Sequence, residues 1–229
     1  MAASRSAPRP AVPERALPRG GRHPLTQEAV TASQRARLLD AMSHIAAAKG
    51  FKAATVADVI ALAGVSRRTF YEQFDDMQAC FLAAYERGMQ ALFGAIRRAL
   101  RDTEALDWQA RSRVAIRAYL QALAAAPEVT WAFSVETLGA GAQALERRGW
   151  VLDQWVAQWR ALQALRERDD PQAPHVTDAS LLAMVGGIEE LVRDCLRRRG
   201  AAALPELADP VTHFVLAVMG AGSPRATAG

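Results

Sequence analysis

The stretch Thr55-Val-Ala-Asp-Val-Ile-Ala-Leu-Ala-Gly-Val-Ser-Arg-Arg-Thr-Phe-Tyr-Glu-Gln-Phe74 predicts two short helices joined by a tight turn. Thr55 and Asp58 have the spacing of a capping box, with Asp in place of the usual Glu, so the first helix begins just after Thr55. Gly64 follows an apolar stripe of helical spacing, where glycine adopts a left-handed backbone at little cost. Ser66 is a good cap for the second helix. Together these signals predict a helix-turn-helix.

The second helix of this pair has an apolar side and a polar side. Phe70 and Phe74 are four residues apart, so both face inward. The side left outside carries Arg67, Arg68, Thr69, Tyr71 and Gln73. Such side chains suit base edges and phosphates, so the pattern favours insertion into the DNA major groove. An ordinary helical hairpin with a solvated polar face is the alternative.

Composition limits the class of protein. The chain has 229 residues and an apolar fraction of 51%, enough for a sizeable core. No run approaches 18 uninterrupted apolar residues, so we expect no membrane span, and the N-terminus lacks the features of a secretory signal. The two cysteines, Cys80 and Cys195, lack metal or redox spacing and suit free thiols in the cytoplasm.

Charge is unevenly distributed along the chain. Residues 1–75 hold eleven Lys or Arg against six Asp or Glu, a net charge of +5, whereas the remainder carries −1. The positive charge thus accompanies the predicted helix-turn-helix, as attraction to phosphates requires. A separate basic surface would not need to lie there.

Residues 1–28, rich in Pro and Arg, are predicted to form a flexible basic arm. A first helix should begin near Thr31, with Gln34 as capping partner, and end at Gly50. Lys52 stands just before the second helix. We therefore expect a three-helix DNA-binding domain over residues 29–76.

Residues 77–222 keep the helical period and show no convincing strand. Asp75 and Asp76 cap a long helix, and Pro and Gly residues separate those that follow. The predicted helices cover residues 77–101, 108–125, 128–138, 142–168, 178–199 and 210–221, followed by a tail over 223–229. The predicted fold is all-α, an N-terminal helix-turn-helix domain plus a C-terminal helical bundle.

The sequence resembles the TetR/AcrR family of bacterial transcription regulators. The matching pattern is Ile60-x-x-Ala63-Gly64-Val65-Ser66-x-x-Thr69-Phe70-Tyr71-x-x-Phe74, preceded by Lys49-Gly50-Phe51 and Thr55-Val56. It is dense over about 45 residues, and the rest resembles the family only in architecture. The resemblance implies a homodimer, joined through its last two helices, whose bundle binds a small effector and thereby repositions the helix-turn-helix domains on a palindromic operator.

Carried over by position, the resemblance assigns phosphate contacts to Thr55 and Tyr71, and base or backbone contacts to Arg67, Arg68 and Thr69. The full set of predicted DNA-binding residues is Lys52, Thr55, Ser66, Arg67, Arg68, Thr69, Tyr71 and Gln73. Two positions depart from the family pattern. Gln73 stands where His is frequent, and Met77 stands where a Lys commonly reaches a phosphate.

Aromatic residues suggest where the effector binds. All five tryptophans follow residue 107, and with a few polar groups they could line a cavity or simply fill the core. The resemblance favours a cavity, with candidate ligand-binding residues Tyr119, Trp131, Phe133, Glu136, Trp155, Gln158, Trp159 and Met184. A Gly186-Gly187 pair suits close helix packing, and the candidate dimer residues are Val185, Gly186, Ile188, Val192, Phe214 and Val218.

These patterns favour a cytoplasmic DNA-binding repressor, released from its operator by a hydrophobic or aromatic effector, with no cofactor, metal or catalytic residue. A helical adaptor whose arginines bind an acidic protein partner is the first alternative. A dinucleotide-binding enzyme is the second, because Gly139-Ala-Gly141-x-x-Ala144 imitates a dinucleotide loop, although no predicted strand precedes it.

Overall fold

The computed structural model describes residues 26–220, and all regular structure in that range is helical. Nine α-helices run in order there: α1 (Gln27–Lys49), α2 (Val56–Ala63), α3 (Arg67–Gln73), α4 (Met77–Ala99), α5 (Trp108–Ala125), α6 (Pro127–Ser134), α7 (Ala142–Asp169), α8 (Asp178–Arg199) and α9 (Ala208–Val218). Short 3-10 segments precede α2, α7 and α9, at Phe51–Ala53, Glu136–Gly139 and Ala201–Leu207. The all-α prediction is confirmed.

The helix-turn-helix unit, α1–α3, forms as its local signals predict. The Thr55–Asp58 capping box is present, and Gly64 ends α2 with a left-handed backbone at φ 62° and ψ 43°. The hydroxyl of Ser66 accepts the backbone N–H of Thr69 at 3.0 Å and so begins α3. Phe70 and Phe74 are both buried. Each short helix is therefore fixed at its ends by its own sequence.

Several helix boundaries differ from the predictions. α1 begins at Gln27, because Thr26 caps it by accepting the backbone N–H of Ala29, so the predicted start at Thr31 is wrong. α6 begins at Pro127, which is tolerated in a first helical turn because its missing N–H needs no partner there. Residues 1–25 of the predicted arm and the predicted tail over 223–229 lie outside the described residues.

Two apolar clusters form the interior, and α4 contributes to both. One cluster joins α1–α4 with α6, through residues such as Leu38, Phe70 and Phe81. The other joins the second half of α4 with α5, α8 and α9, through residues such as Leu120 and Val215. The long helix α4 therefore connects the helix-turn-helix unit physically to the C-terminal bundle. Cys80 and Cys195 are buried free thiols, and burial raises the pKa of Cys80 to about 12.

The segment Ala201–Val218 has the length and mean hydropathy, 1.2, of a membrane span. However, it contains Pro205 within a 3-10 segment, and only its last 11 residues form an α-helix. Leu204, Val211 and Val215 are fully buried against the bundle. Only part of the segment, 22% of it, is buried, and that part packs into the core of the bundle.

Candidate nucleic-acid interface and effector cavities

The polar side of α3 faces outward. Arg67, Arg68 and Tyr71 are exposed, Tyr71 at 50%, while Thr69 and Gln73 are partly buried. The Tyr71 ring packs edge-on against the buried Phe70, with ring centroids 5.4 Å apart. The phenol is therefore held on a rigid base, and the helix presents a polar surface to the solvent.

Arg67 and Arg68 differ in what they contact. Arg68 donates from Nε to Glu72 Oε1 at 2.8 Å, an exposed i,i+4 pair with little energetic weight. This contact occupies one edge of the guanidinium and leaves its Nη atoms for another acceptor. Within residues 26–220, Arg67 forms no ion pair. Both side chains can thus offer paired donors, the geometry that recognises a guanine edge.

The remaining predicted DNA-binding residues have structural contacts of their own. The Thr55 hydroxyl accepts the N–H of Asp58 at 3.3 Å and also donates to the Asp58 carboxylate. Ser66 similarly caps α3. Lys52 is exposed in the 3-10 segment before α2. Thr55 and Ser66 therefore hold the helix ends in place, whatever further contact they make.

Two arginines of α1 brace the helix-turn-helix, and the sequence analysis did not identify them. Arg35 donates to the carbonyl of Gln73 at 3.1 Å, and its guanidinium lies 4.4 Å from the centre of the Phe74 ring. Arg37 donates to the carbonyl of Ala63 at 2.9 Å, at the end of α2. They occupy the C-terminal ends of both short helices, where cations are favoured. Their distance in sequence from α2 and α3 hid this role.

A further polar contact joins α1 to α2. Lys49 pairs with the carboxylate of Asp58, which also accepts the N–H of Thr55 at 2.9 Å. These hydrogen bonds, that of Lys49 foremost, lower the pKa of Asp58 to about 2. The carboxylate thus remains charged across the physiological range and holds the start of α2 to the end of α1.

Polar contacts made by Glu136, Glu128 and Arg87 join the helix-turn-helix unit to the rest of the described chain. The N–H of Phe51 donates to the Glu136 carboxylate at 3.0 Å. His44 of α1 lies 2.8 Å from Glu128 of α6. Arg87 of α4 donates to the carbonyl of Ala36 at 3.1 Å and pairs with an acid on α1. A shift of α4 or α6 would therefore displace α1 directly.

A cavity of about 200 Å³, the distal cavity, lies between α4, α5, α7 and α8. Four of the predicted ligand-binding residues line it: Tyr119, Trp155, Gln158 and Trp159. The rest of its wall is largely apolar, with Arg97, Arg111 and Glu189 as its charged members.

A second cavity of about 360 Å³, the proximal cavity, lies between α4, α6 and α8 and reaches α1 at Ser43. It shares Tyr119, Trp155 and Glu189 with the distal cavity, and Phe133 also lines it. Burial raises the pKa of the Tyr119 phenol, so that group stays neutral. Together the two volumes fall within the range of roughly 300–1,000 Å³ typical of small-molecule sites.

The other predicted ligand-binding residues lie elsewhere. Met184 is 1% exposed within the core, and Trp131 packs against that core without lining either cavity. Glu136 is engaged with the backbone of Phe51. Trp150, a further aromatic candidate, is 51% exposed at the surface. Helical spacing gave the positions of these residues but not the direction in which each helix faces.

The predicted dimer residues divide in a similar way. Val185, Ile188 and Val192 are buried within the protomer and do not lie on its exposed surface. Gly187 accommodates Phe214 of α9, because an added Cβ would lie 3.4 Å from that ring. Gly186 instead has open space around it. Two apolar side chains of α8, Leu182 and Leu191, are 44% and 41% exposed, and their spacing of nine residues puts them on opposite flanks of the helix.

Comparison with known proteins agrees with this architecture. The family model described as "Bacterial regulatory proteins, tetR family" matches residues 38–84, which run from α1 into α4. The chain is also 33% identical over 86 residues to the HTH-type transcriptional activator FasR of Mycolicibacterium smegmatis. Residues 38–84 of the chain therefore carry the sequence pattern of the TetR family. The match to FasR spans 38% of that relative's length, so it does not extend to the whole protein.

Solved TetR-type structures extend the similarity in fold to the bundle. The fatty acid degradation regulator FadR from Bacillus halodurans matches with a TM-score of 0.71 and 18% identity, over 80% of this chain and 94% of that one. FadR from Bacillus subtilis, in complex with stearoyl-CoA, matches with a TM-score of 0.68 and 14% identity, over 80% and 98%. Identities this low establish a shared fold.

The alternative of a dinucleotide loop is not supported. Gly139 ends a 3-10 segment and Gly141 precedes α7, whereas a dinucleotide loop follows a β-strand. Gln78 of α4 donates to the carbonyl of Ala140 at 3.2 Å, and Glu136 of the same segment accepts the N–H of Phe51 beside the helix-turn-helix unit. Its glycines therefore belong to a contact between domains.

Proposed function

We propose that this TetR-family transcriptional regulator binds a palindromic operator as a homodimer and is released when a small apolar effector enters the cavities of its bundle. The observation that carries the proposal is the outward polar side of α3, fixed from behind by Phe70, Phe74 and Arg35. A recognition helix held this way needs no reorganisation to enter a groove. An adaptor for an acidic protein would not require paired units spaced one DNA turn apart.

Within this proposal, Arg67 and Arg68 recognise guanine edges and Tyr71 contacts a phosphate. Arg67 is free of ion pairs among the described residues, whereas Arg68 is steadied by Glu72. An acidic side chain therefore orients Arg68 but not Arg67, while both offer the same guanidinium donors. A good bidentate contact contributes roughly 1–3 kcal/mol of discrimination between bases.

The dimer face we propose is the outward side of α8 and α9. Leu182 is exposed there, one helical turn before the open surface of Gly186, while Phe214 and Val218 of α9 are partly buried. Pairing two copies through these helices would bury apolar side chains that otherwise meet water. It would also set two copies of α3 about one DNA turn, ~34 Å, apart.

Effector control follows from which helices line the proximal cavity. Ser43 of α1, Gly88 of α4 and Phe133 of α6 all line it. These three helices also form the contacts that hold the helix-turn-helix unit, through Arg87 and Glu128. An occupant that separates α4 from α6 would move α1 and change the spacing of the paired units. The stearoyl-CoA bound to Bacillus subtilis FadR supports an effector with an apolar body.

Footprinting of the DNA upstream of the protein's own gene tests the proposal. We expect protection of a palindrome, and Arg67→Ala should relax the preference at one base pair of each half-site by about 1–3 kcal/mol. Tyr71→Phe is the matched control, because loss of a phosphate contact should weaken all sequences alike. An Arg67→Ala variant that loses affinity equally for every sequence would contradict the role of this arginine.

The direction of regulation needs its own measurement. We propose repression, because a dimer bound over a promoter blocks polymerase, whereas the relative FasR is described as an activator. A reporter carrying the footprinted operator should rise in expression when the regulator is deleted. A fall in expression would instead establish activation.

A further inference from the structure

The distal cavity has an uneven distribution of charge. Its walls are mainly apolar, with Phe93, Ile96, Leu162 and Val185 among them. Its charged members are Arg97, Arg111 and Glu189, and Glu189 is already paired with Arg148 of α7 and Arg193 of α8. The two arginines therefore face an apolar space without a carboxylate that is available to them.

Arg97, near the end of α4, and Arg111, near the start of α5, both line the distal cavity. Neither forms an ion pair among residues 26–220, although the nearby acids Asp102, Glu104 and Asp107 are exposed in the connecting loop. The Nη1 atom of Arg111 donates to the carbonyl of Thr103 at 3.1 Å, which fixes the guanidinium. Its Nε is buried and has no hydrogen-bond partner.

An unpartnered guanidinium donor is rare in protein interiors, because burying it without an acceptor is unfavourable. Planar guanidinium groups bind carboxylates and phosphates through paired hydrogen bonds. Arg111 is held in position and Arg97 is exposed at the same wall, so an anion there could be reached from solvent. The apolar walls behind them would take the body of the same molecule.

From this arrangement we propose that the effector is an amphipathic anion, whose carboxylate or phosphate binds Arg97 and Arg111 while its apolar body fills the distal cavity. Tyr119 and Trp155 separate this cavity from the proximal one. A longer body would pass between them toward α4 and α6. This inference rests on the proposed effector site, but it concerns the chemistry of the ligand and not the binding of DNA.

The test measures binding to the full chain without DNA, by calorimetry and by the fluorescence of Trp155 and Trp159. The probes share one body and differ in head group: octanoate, octyl phosphate and 1-octanol. A second pair, 4-phenylbutanoate and 4-phenylbutanol, repeats the comparison with an aromatic body. We expect at least one anion to bind roughly tenfold or more tightly than its alcohol, and the two octyl anions show which head group is preferred.

Arg111→Gln and Arg97→Gln should remove most of this preference while leaving the affinity for the alcohol unchanged. The matched controls are Arg113→Gln and Arg98→Gln, exposed arginines on the same two helices that do not line the cavity. Equal affinity for anions and alcohols, or no binding by either pair, would overturn the inference. The comparison of anion and alcohol affinities is made on the wild-type protein, so it still decides the question if a variant fails to fold. An anion preference without an operator footprint would contradict the proposed function alone.

Discussion

The helix-turn-helix unit and the C-terminal bundle are both helical, but different contacts hold them together. In the first, side chains bond to backbone: Thr55 and Ser66 cap helix starts, while Arg35 and Arg37 bind carbonyls at helix ends. In the second, long helices pack chiefly through apolar side chains around two cavities, with fewer such bonds for its length, for example those that Arg166 donates to two carbonyls. The comparison teaches that directional bonds fix the first region, whereas the second can change its packing.

This difference suits the two tasks that we propose. A surface that recognises base edges must keep its donors in fixed positions, because hydrogen bonds weaken steeply with misalignment. A domain that responds to an effector needs space to fill, since side chains that line a void lack contacts on one side. The helix α4 contributes to the cores of both regions, so a change of packing in the bundle can move the helix-turn-helix unit.

The largest expected effect on stability comes from the apolar side chains that support the helix-turn-helix unit. Phe70 is fully buried on the inner side of α3, with Tyr71 and Phe74 against it. Phe70→Ala should lower the free energy of unfolding by about 3–5 kcal/mol, because the lost burial is joined by a cavity. Urea unfolding of the full chain measures this loss, and DNA affinity should fall with it.

Leu62→Ala provides the control for that substitution. Leu62 lies on α2 and is 43% exposed, so its removal should change the free energy of unfolding by less than about 0.5 kcal/mol. If Phe70→Ala lowered the free energy of unfolding as little as Leu62→Ala does, burial of Phe70 would not stabilise the unit, and its directional bonds would have to.

The next largest effect on stability is expected at the close contact between α4 and α6 in the bundle. An added Cβ at Gly88 of α4 would lie 2.5 Å from the Phe133 ring and 3.2 Å from Val129, both on α6. Phe133 is buried between aromatic neighbours, so Gly88→Ala forces α4 and α6 apart. Overpacking of this kind is unfavourable by about 1–3 kcal/mol.

A helical glycine also gains stability on becoming alanine, by about 0.8–1 kcal/mol, and this gain must be separated from the strain. Gly149→Ala in α7 supplies the correction, because nothing lies within 4 Å of its added Cβ. We expect Gly149→Ala to stabilise the protein, and Gly88→Ala to fall about 1–3 kcal/mol below it in urea unfolding. If the two variants changed the free energy of unfolding equally, α6 would move to accommodate the added methyl group without strain.

The two regions also differ in how far their sequences predicted them. The capping box, Gly64 and Ser66 are local signals, so both ends of α2 and the start of α3 were predicted to the residue. The end of α3 was not, because the helix stops at Gln73, one residue before the predicted Phe74. Arg35 and Arg37 escaped prediction because their partners lie 26 to 38 positions away. Contacts distant in sequence carry no local pattern.

In the bundle, helix positions were largely predicted but the directions of their faces were not. Val185 and Ile188 follow helical spacing equally well as core or as interface, and the structure places both in the protomer's interior. Glu136 follows a tryptophan-bearing helix, yet it binds the N–H of Phe51, 85 positions away. Which side of a helix faces a cavity depends on its neighbours, and periodicity contains no information on those.

The smallest effect lies in the polar contact between α1 and α2. The pKa of Asp58 is about 2, below its ordinary value of 3.8, chiefly because Lys49 binds the charged carboxylate. A lowered pKa in the folded state means that this contribution to stability is complete above the ordinary value. It is lost as the pH falls from 3.8 through about 2, where the folded carboxyl takes up its proton.

Asp58→Asn should therefore be less stable than the wild type at pH 6, and the gap should close between pH 4 and pH 2, as urea unfolding at several pH values would show. Asparagine keeps an oxygen for the N–H of Thr55, so the variant chiefly removes the charge that Lys49 meets. In a Lys49→Met background the same substitution should show a weaker dependence on pH. A gap that stays constant down to pH 2 would mean that the capping box, and not the ion pair, joins α2 to α1. The start of α2 would then depend on neutral hydrogen bonds at this corner.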